Sequence, residues 1–312
     1  MSPSETSKPA PPPKPQTILF HNRITGEREE EQVFGERWLR WVYENPVGRM
    51  ALWPVARHAW FSRWYGWRMS RPASRRWIRP FVEQYGLNAE EFAKPLESYQ
   101  SFNDFFTRAL KPQARRISGG DSTAVFPADG RHLGFPNYHE ADGVFVKGKK
   151  FSLAELLDSR DMAERFNRGT VVISRLCPTD YHRFHFPVAG VPGSAVTIPG
   201  PLYSVNPIAL RRNISILASN RRMITELATD TFGLVLLLEV GATCVGSIHQ
   251  SYTPGDAVAK GAEKGWFAFG GSTVITLFEP GRLQLAPDLI AHSRQNRELY
   301  TQMGDHLGEA TK

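Results

Sequence analysis

Three stretches of this 312-residue chain carry polar groups that a β scaffold does not need. FPADGRHLGF holds Asp129 in a Pro-Ala-Asp-Gly turn. RLCPTDYHRFHFPVAG holds His182 and His185. WFAFGGSTVITLF holds Ser272 directly after Gly270 and Gly271. Asp, His and Ser are the parts of an activated nucleophile: the imidazole takes the hydroxyl proton and the carboxylate holds the imidazole tautomer. Taken singly, each has a plainer reading. An Asp suits a turn, and glycines inside a strand mark a bulge. Two histidines three apart can ligate a metal from a helix, but Pro178, Pro187 and the aromatics between them argue against a helix there, so no metal site is expected. No G-x-S-x-G elbow surrounds Ser272, which disfavours an ordinary α/β-hydrolase. With no Cβ at Gly271, the Ser272 hydroxyl can reach the carbonyl just before it, so the Gly271–Ser272 peptide bond is itself a candidate reactant.

The elements that must hold these groups change texture along the chain. MSPSETSKPAPPPKPQ is polar and proline-rich, reads as a disordered tail and is not a signal peptide. GEREEEQ follows as a solvated charged patch. A helical, Arg/Trp-rich region then runs to SYQSFNDFFTRALKP, where Pro112 is a stop. From about Ser122, short β-branched runs alternate with Gly and Pro turns, which predicts strands with non-local pairing. Within them SLAELLDS predicts one short helix, with Ser152 as cap and Glu155 at the capping-box position. FGLVLLLEVGATCVGSI, broken by Glu239 and rich in Val and Gly, predicts two buried strands rather than a spanning helix. From Ala291 the chain reads as a polar, fraying helix. The expected class is α+β: residues 1–20 a tail, 21–115 a helical interfacial region, and 116–312 a mainly antiparallel β domain.

Charge is unevenly placed. The net charge is +7, yet between Glu36 and Pro80 there are ten arginines, no lysine, and seven of the eight tryptophans. Trp at this density favours the lipid interface, where an amphipathic ring belongs. Arginine adds about 1 kcal/mol of attraction per residue close to anionic headgroups. Trp53, Trp60, Trp64 and Trp67, flanked by Arg57, Arg63 and Arg68, share one face if the helix extends back through Pro54. A Trp-rich core face is the competing reading. Cys177 and Cys244 sit in apolar runs as buried free thiols.

Several pieces, in order, resemble the phosphatidylserine decarboxylases, a pyruvoyl-dependent, self-processing family: FNDFFTRALKP, PADG, VKGKKFSLAELL, YHRFHFPVAG, GPLYSVNPIAL, NRR, LEVGATCVGSI, KGAEKGWFAFGGSTV and LFEPG. Gly270 stands where the family usually has Leu before Gly-Ser-Thr. The resemblance implies that His185, oriented by Asp129, deprotonates Ser272, whose oxygen attacks the Gly271 carbonyl. The resulting ester is cut by β-elimination, and loss of ammonia leaves a pyruvoyl group at position 272. A large chain ending at Gly271 and a small one of 41 residues would stay associated. The pyruvoyl group would act as an electron sink for loss of CO2 from phosphatidylserine, giving phosphatidylethanolamine. By the same resemblance His182 returns the proton and Ser204 contacts the substrate carboxylate. Lys147, Lys149 and Arg183 are the cations considered for the phosphate.

A two-chain lipid does not leave the bilayer cheaply, since each CH2 contributes about 0.8 kcal/mol. The enzyme is therefore expected to bind an anionic membrane surface peripherally, on the cytoplasmic face of a bacterial inner membrane. Homo-oligomerisation is compatible with this reading. The rival readings are a pyruvoyl-dependent decarboxylase of a soluble amino acid and an unprocessed membrane-binding homologue. A nucleic-acid binder is disfavoured because no recognition motif is found.

Overall fold

The apolar run after the two glycines forms the middle of one large sheet, and the run before them ends a strand of a smaller one. The computed structural model describes residues 18–31, 59–242, 247–270 and 272–311, with side chains in the second span from Trp64 onward. Along the chain the strands are β1 (Leu19–Asn22), β2 (Arg28–Glu30), β3 (Thr123–Val125), β4 (Gly130–Phe135), β5 (Gly143–Val144), β6 (Val146–Lys147), β7 (Thr170–Leu176), β8 (Arg183–His185) and β9 (Val191–Pro192). They continue with β10 (Val196–Ile198), β11 (Arg222–Thr229), β12 (Gly233–Val240), β13 (Ile248–Gln250), β14 (Glu263–Phe267), β15 (Ser272–Phe278), β16 (Leu283–Leu285), β17 (Glu298–Thr301) and β18 (His306–Ala310).

The main sheet runs β10-β11-β12-β15-β7-β4-β17-β1-β2, with β9 beside β11. Every pair in it is antiparallel except β1 with β17. β15 is central and buried along its whole length. Its side chains alternate between two cores, as a period of two requires. Ile275 and Leu277 face a cluster with Ile173, Leu236, Leu238 and the short helices Leu153–Leu157, Pro207–Leu210 and Ile216–Ser219, while Phe278 faces Val172, Leu237, Leu289 and Leu299. Covering both faces explains why these strands read as continuous apolar runs.

Two smaller sheets, β13-β14-β8 and β16-β18-β3, flank the main one. A separate aromatic cluster joins the helices Ala59–Met69, Ile78–Tyr85 and Phe102–Phe106 to Phe269, three residues before Ser272. The Phe269 N–H donates to Asn103 Oδ1 (3.0 Å), which ties this helical module to the approach to the glycine pair.

The α+β, largely β architecture agrees with the sequence expectation, and the Ser152 hydroxyl accepts the Glu155 N–H as its cap position predicts. No helix among the described residues is long and apolar enough to cross a membrane. Trp53, Arg57, Cys244 and Gly271 lie outside the described residues. So do the side chains of Trp60 and Arg63, although both residues belong to the Ala59–Met69 helix. The boundary drawn at residue 20 falls inside β1, where Phe20 is buried and pairs with Glu298.

The fraying helix expected from Ala291 is a correction. Helix Pro287–Ser293 ends there, and β17 and β18 follow, joined by a turn through Gly304 at φ +89°. That turn and the distant partners β4 and β3 override a polar local sequence.

Candidate active site

Ser272 opens β15, opposite Leu176 at the end of β7, and is fully buried. Beyond Leu176 the chain leaves the sheet through Cys177–Tyr181 and returns in β8. His182 sits at that return, with Nδ1 3.4 Å from Ser272 Oγ. On its other side, Nε2 donates to the Cys177 carbonyl at 2.8 Å. A carbonyl oxygen only accepts, so the proton is on Nε2 and the Nδ1 lone pair faces the serine hydroxyl. The ring stacks on Phe106, centroid to centroid 3.9 Å. Burial, helped by the Arg108 charge, depresses the His182 pKa to about 3, against the Cys177 carbonyl, which favours protonation. His182 is therefore a neutral imidazole whose unprotonated nitrogen faces the Ser272 hydroxyl.

Before the serine, Gly270 adopts φ +140°, a backbone region that L side chains rarely enter. Glycine enters this region without the strain that a side chain would bring.

His185 lies in the same buried neighbourhood but turns elsewhere. Its Nδ1 donates to the Gly261 carbonyl (3.0 Å), and Nε2 lies 3.4 Å from the Tyr181 hydroxyl. Burial lowers its pKa, opposed by the Gly261 carbonyl and by the charges of Glu263 and Asp129. Asp129 is held by Arg115, whose Nη2 donates at 2.6 Å and Nε at 2.9 Å, and it also accepts the Met303 N–H at 2.8 Å. Asp129 and His185 are brought near one another by a backbone bond from His185 N to Pro127 O (2.7 Å). Among the described hydrogen bonds, none joins Asp129 to His185 or His185 to Ser272. Ser204 accepts the Asn206 N–H (3.2 Å) in the loop ahead of helix Pro207–Leu210, and Asn220 ties that loop to Gly241 beyond β12. Arg183 is engaged with Glu263 at 2.7 Å, and Lys147 is exposed beside Asp142.

A buried charge cage that the motifs did not suggest supports the His182 loop. Arg175 on β7 pairs with Glu298 on β17 (2.7 Å) and with Glu31 after β2. Arg131 on β4 pairs with Asp180 (2.7 Å), and Asp180 in turn accepts the Cys177 N–H (2.6 Å). One residue, Cys177, thus links the cage to the His182 ring through its N–H and its carbonyl. Burial would raise the Glu31 pKa, but Arg175 and Arg131 hold it down to about 2. The last Glu of the GEREEEQ patch, expected in solvent, is buried. Two signals were available: Arg175 and Asp180 lie within the histidine motif itself, and Arg108 lies within FNDFFTRALKP. The Arg108 guanidinium sits over Phe105 (4.9 Å) and donates to the Asp180 carbonyl (3.2 Å).

A buried serine two residues beyond Gly270, facing a neutral imidazole and outside any G-x-S-x-G turn, differs from a hydrolase elbow. The family model that matches, described as Phosphatidylserine decarboxylase, covers residues 102–309. Relatives named phosphatidylserine decarboxylase proenzyme include one from Chlamydia muridarum, 45% identical over 94% of this chain and 98% of its own length. Another from Chlamydia pneumoniae is 44% identical over 96% and 98%. One from Fusobacterium nucleatum is 42% identical over 94% and 98%. This chain belongs to the phosphatidylserine decarboxylase family.

Proposed function

We propose that the chain is a proenzyme that cuts itself between Gly271 and Ser272 and then decarboxylates phosphatidylserine to phosphatidylethanolamine. The observation that carries this reading is Ser272 Oγ at 3.4 Å from the unprotonated Nδ1 of a neutral His182, two residues beyond Gly270 at φ +140°. These residues fit a pyruvoyl group made from Ser272. That group supplies an electron sink for the departure of CO2.

The chain's own residues do the rest. A histidine takes the Ser272 hydroxyl proton as Oγ bonds to the Gly271 carbonyl carbon. His182 stays neutral through the burial of its ring, its bond to Cys177 O fixes which nitrogen carries the proton, and it delivers or accepts a proton at position 272. Phe106 holds the ring in place and excludes water from its face. Strands β15 to β18 all belong to the segment 272–312, and β15 is paired on both edges, so the small chain stays bound after the cut. Ser204 is proposed to meet the substrate carboxylate. Attachment is proposed to be peripheral, at the cytoplasmic face of the membrane, through the band that carries Trp64 and Trp67.

The resemblance assigns the cut to His185, oriented by Asp129, and the later proton return to His182. The contact with Ser272 favours a second reading, in which His182 serves both steps. A denaturing gel separates them. If His185→Ala stays uncut while His182→Ala is cut but inactive, the roles are divided. An uncut His182→Ala chain beside a cut His185→Ala chain assigns the cut to His182. For the reading as a whole, intact mass should show two chains divided after Gly271, the smaller lacking a free serine at its start. Active material with one 35.2 kDa chain would falsify it.

A further inference from the structure

A cleft of about 360 Å³ opens between the turn and helix spanning residues 72–85 and the short turn Leu96–Ser98, lined by Arg75, Arg76, Ile78, Arg79, Leu96 and Glu97. Three guanidiniums meet one carboxylate there. Glu97 Oε1 takes Arg79 at 2.7 Å, and the Glu97 carbonyl takes Arg75, which leaves a net positive cleft. The floor contributed by Ile78 and Leu96 is apolar. The flanking surface holds Trp64 and Trp67, 46% and 56% exposed. Guanidiniums lie over these rings: Arg71 at 4.7 Å from Trp67, Arg68 at 5.9 Å from Trp64, and Arg76 at 5.4 Å from Trp77. An arginine stacked by its face keeps its N–H edge free for a phosphate oxygen. Exposed Trp beside clustered Arg is the pattern of a lipid interface rather than of a nucleic-acid groove, where a duplex or base-stacking motif is needed.

We propose that this cleft binds the phosphate of an anionic phospholipid headgroup and docks the protein on the bilayer, as a site separate from the one at residue 272. The proposal rests on the surface-attachment part of the functional reading. The shared chemistry is a phosphate, and the lipid source is favoured by the tryptophans beside it. Ser74, within this module, accepts the Phe102 N–H (2.9 Å), and Phe102 packs on Phe269 at 5.3 Å. The docking cleft and the approach to Ser272 therefore share one aromatic core.

The test uses the full chain and vesicles of phosphatidylcholine containing phosphatidylglycerol, an anionic lipid that carries no serine carboxylate. The triple variant Arg75→Gln, Arg76→Gln, Arg79→Gln should partition about 100-fold more weakly, and Arg76→Gln alone about fivefold. The parent's partition should also weaken with added salt. The pair Arg160→Gln, Arg168→Gln, exposed elsewhere, should stay near the parent. Partition that is unchanged in the triple variant, or equally weak in the control pair, overturns the proposal. So does full displacement of the parent from vesicles by inorganic phosphate at an ionic strength where chloride has no effect, which would mark a soluble-anion site. Loss of binding to an RNA oligomer with vesicle binding intact would assign the cleft to nucleic acid and overturn it as well. Intact mass of the parent is scored separately, so failure of the self-cleavage reading is not confused with failure of the cleft.

Discussion

Arginine is used in opposite ways at the centre of the molecule and on its helical face. At the centre, Arg131 and Arg175 are buried and Arg115 is part-buried, and each is clamped by carboxylates at 2.6–2.7 Å. On the helical face, Arg68, Arg71 and Arg76 lie over tryptophan rings, and the exposed Arg79–Glu97 pair is the nearest thing to a clamp. The same side chain is scaffold where water is excluded and recognition surface where it is not. A guanidinium without water must find fixed acceptors, whereas one in water holds its partners loosely.

The comparison can be broken most completely at what the buried cage positions. Ser272→Ala should abolish cleavage and leave one uncut chain on a denaturing gel, because no hydroxyl remains to attack. A two-band pattern from that variant would move the cut elsewhere.

The next largest effect should come from the cage itself. Arg175→Leu strands Glu31 and Glu298 and should cost about 3–5 kcal/mol in chemical denaturation. Arg79→Ala on the surface should cost less than about 1 kcal/mol. Equal losses would show that burial does not separate the two sets.

Acid gives a graded version of the same contrast. His132 and His182 are buried, and desolvation depresses both to about 3 from an ordinary 6.5. Between those values the unfolded chain binds more protons than the folded one, so stability falls as pH drops below about 6.5. At about pH 5 the expected loss is about 2 kcal/mol for each ring. Glu31 adds a further loss in the same direction as pH falls from 4.5 toward 2, because its folded pKa is depressed to about 2. A melting temperature that is flat between pH 7.5 and 5 would show that the rings are hydrated or paired in the folded chain.

Local patterns carried much of this. SLAELLDS, the apolar runs around β12 and β15, and the Ser, His and Asp motifs were readable because a helix cap and strand alternation are written within a few residues. The C-terminal strands were not readable. EL and HL in β17 and β18 are polar-flanked; β17 is made a strand by β4 and β1, both more than a hundred residues away, and β18 lies between β16 and the distant β3. Glu31 was misread for the same reason: five charged residues in a row look solvated until β1 docks in parallel on β17 and carries the last of them to Arg175.

The order of the motifs was sufficient for the class of chemistry through the family resemblance they carry together, since each motif is a local fact. Which histidine faces that serine was decided only in three dimensions. His182 and His185 are nearly equivalent in the linear chain. The chain leaves β7 at Leu176, opposite Ser272, and turns back through Cys177, which puts one ring on the serine and the other on Gly261. Side-chain direction depends on where each backbone enters its sheet, and that is set by long-range strand pairing rather than by spacing along the sequence.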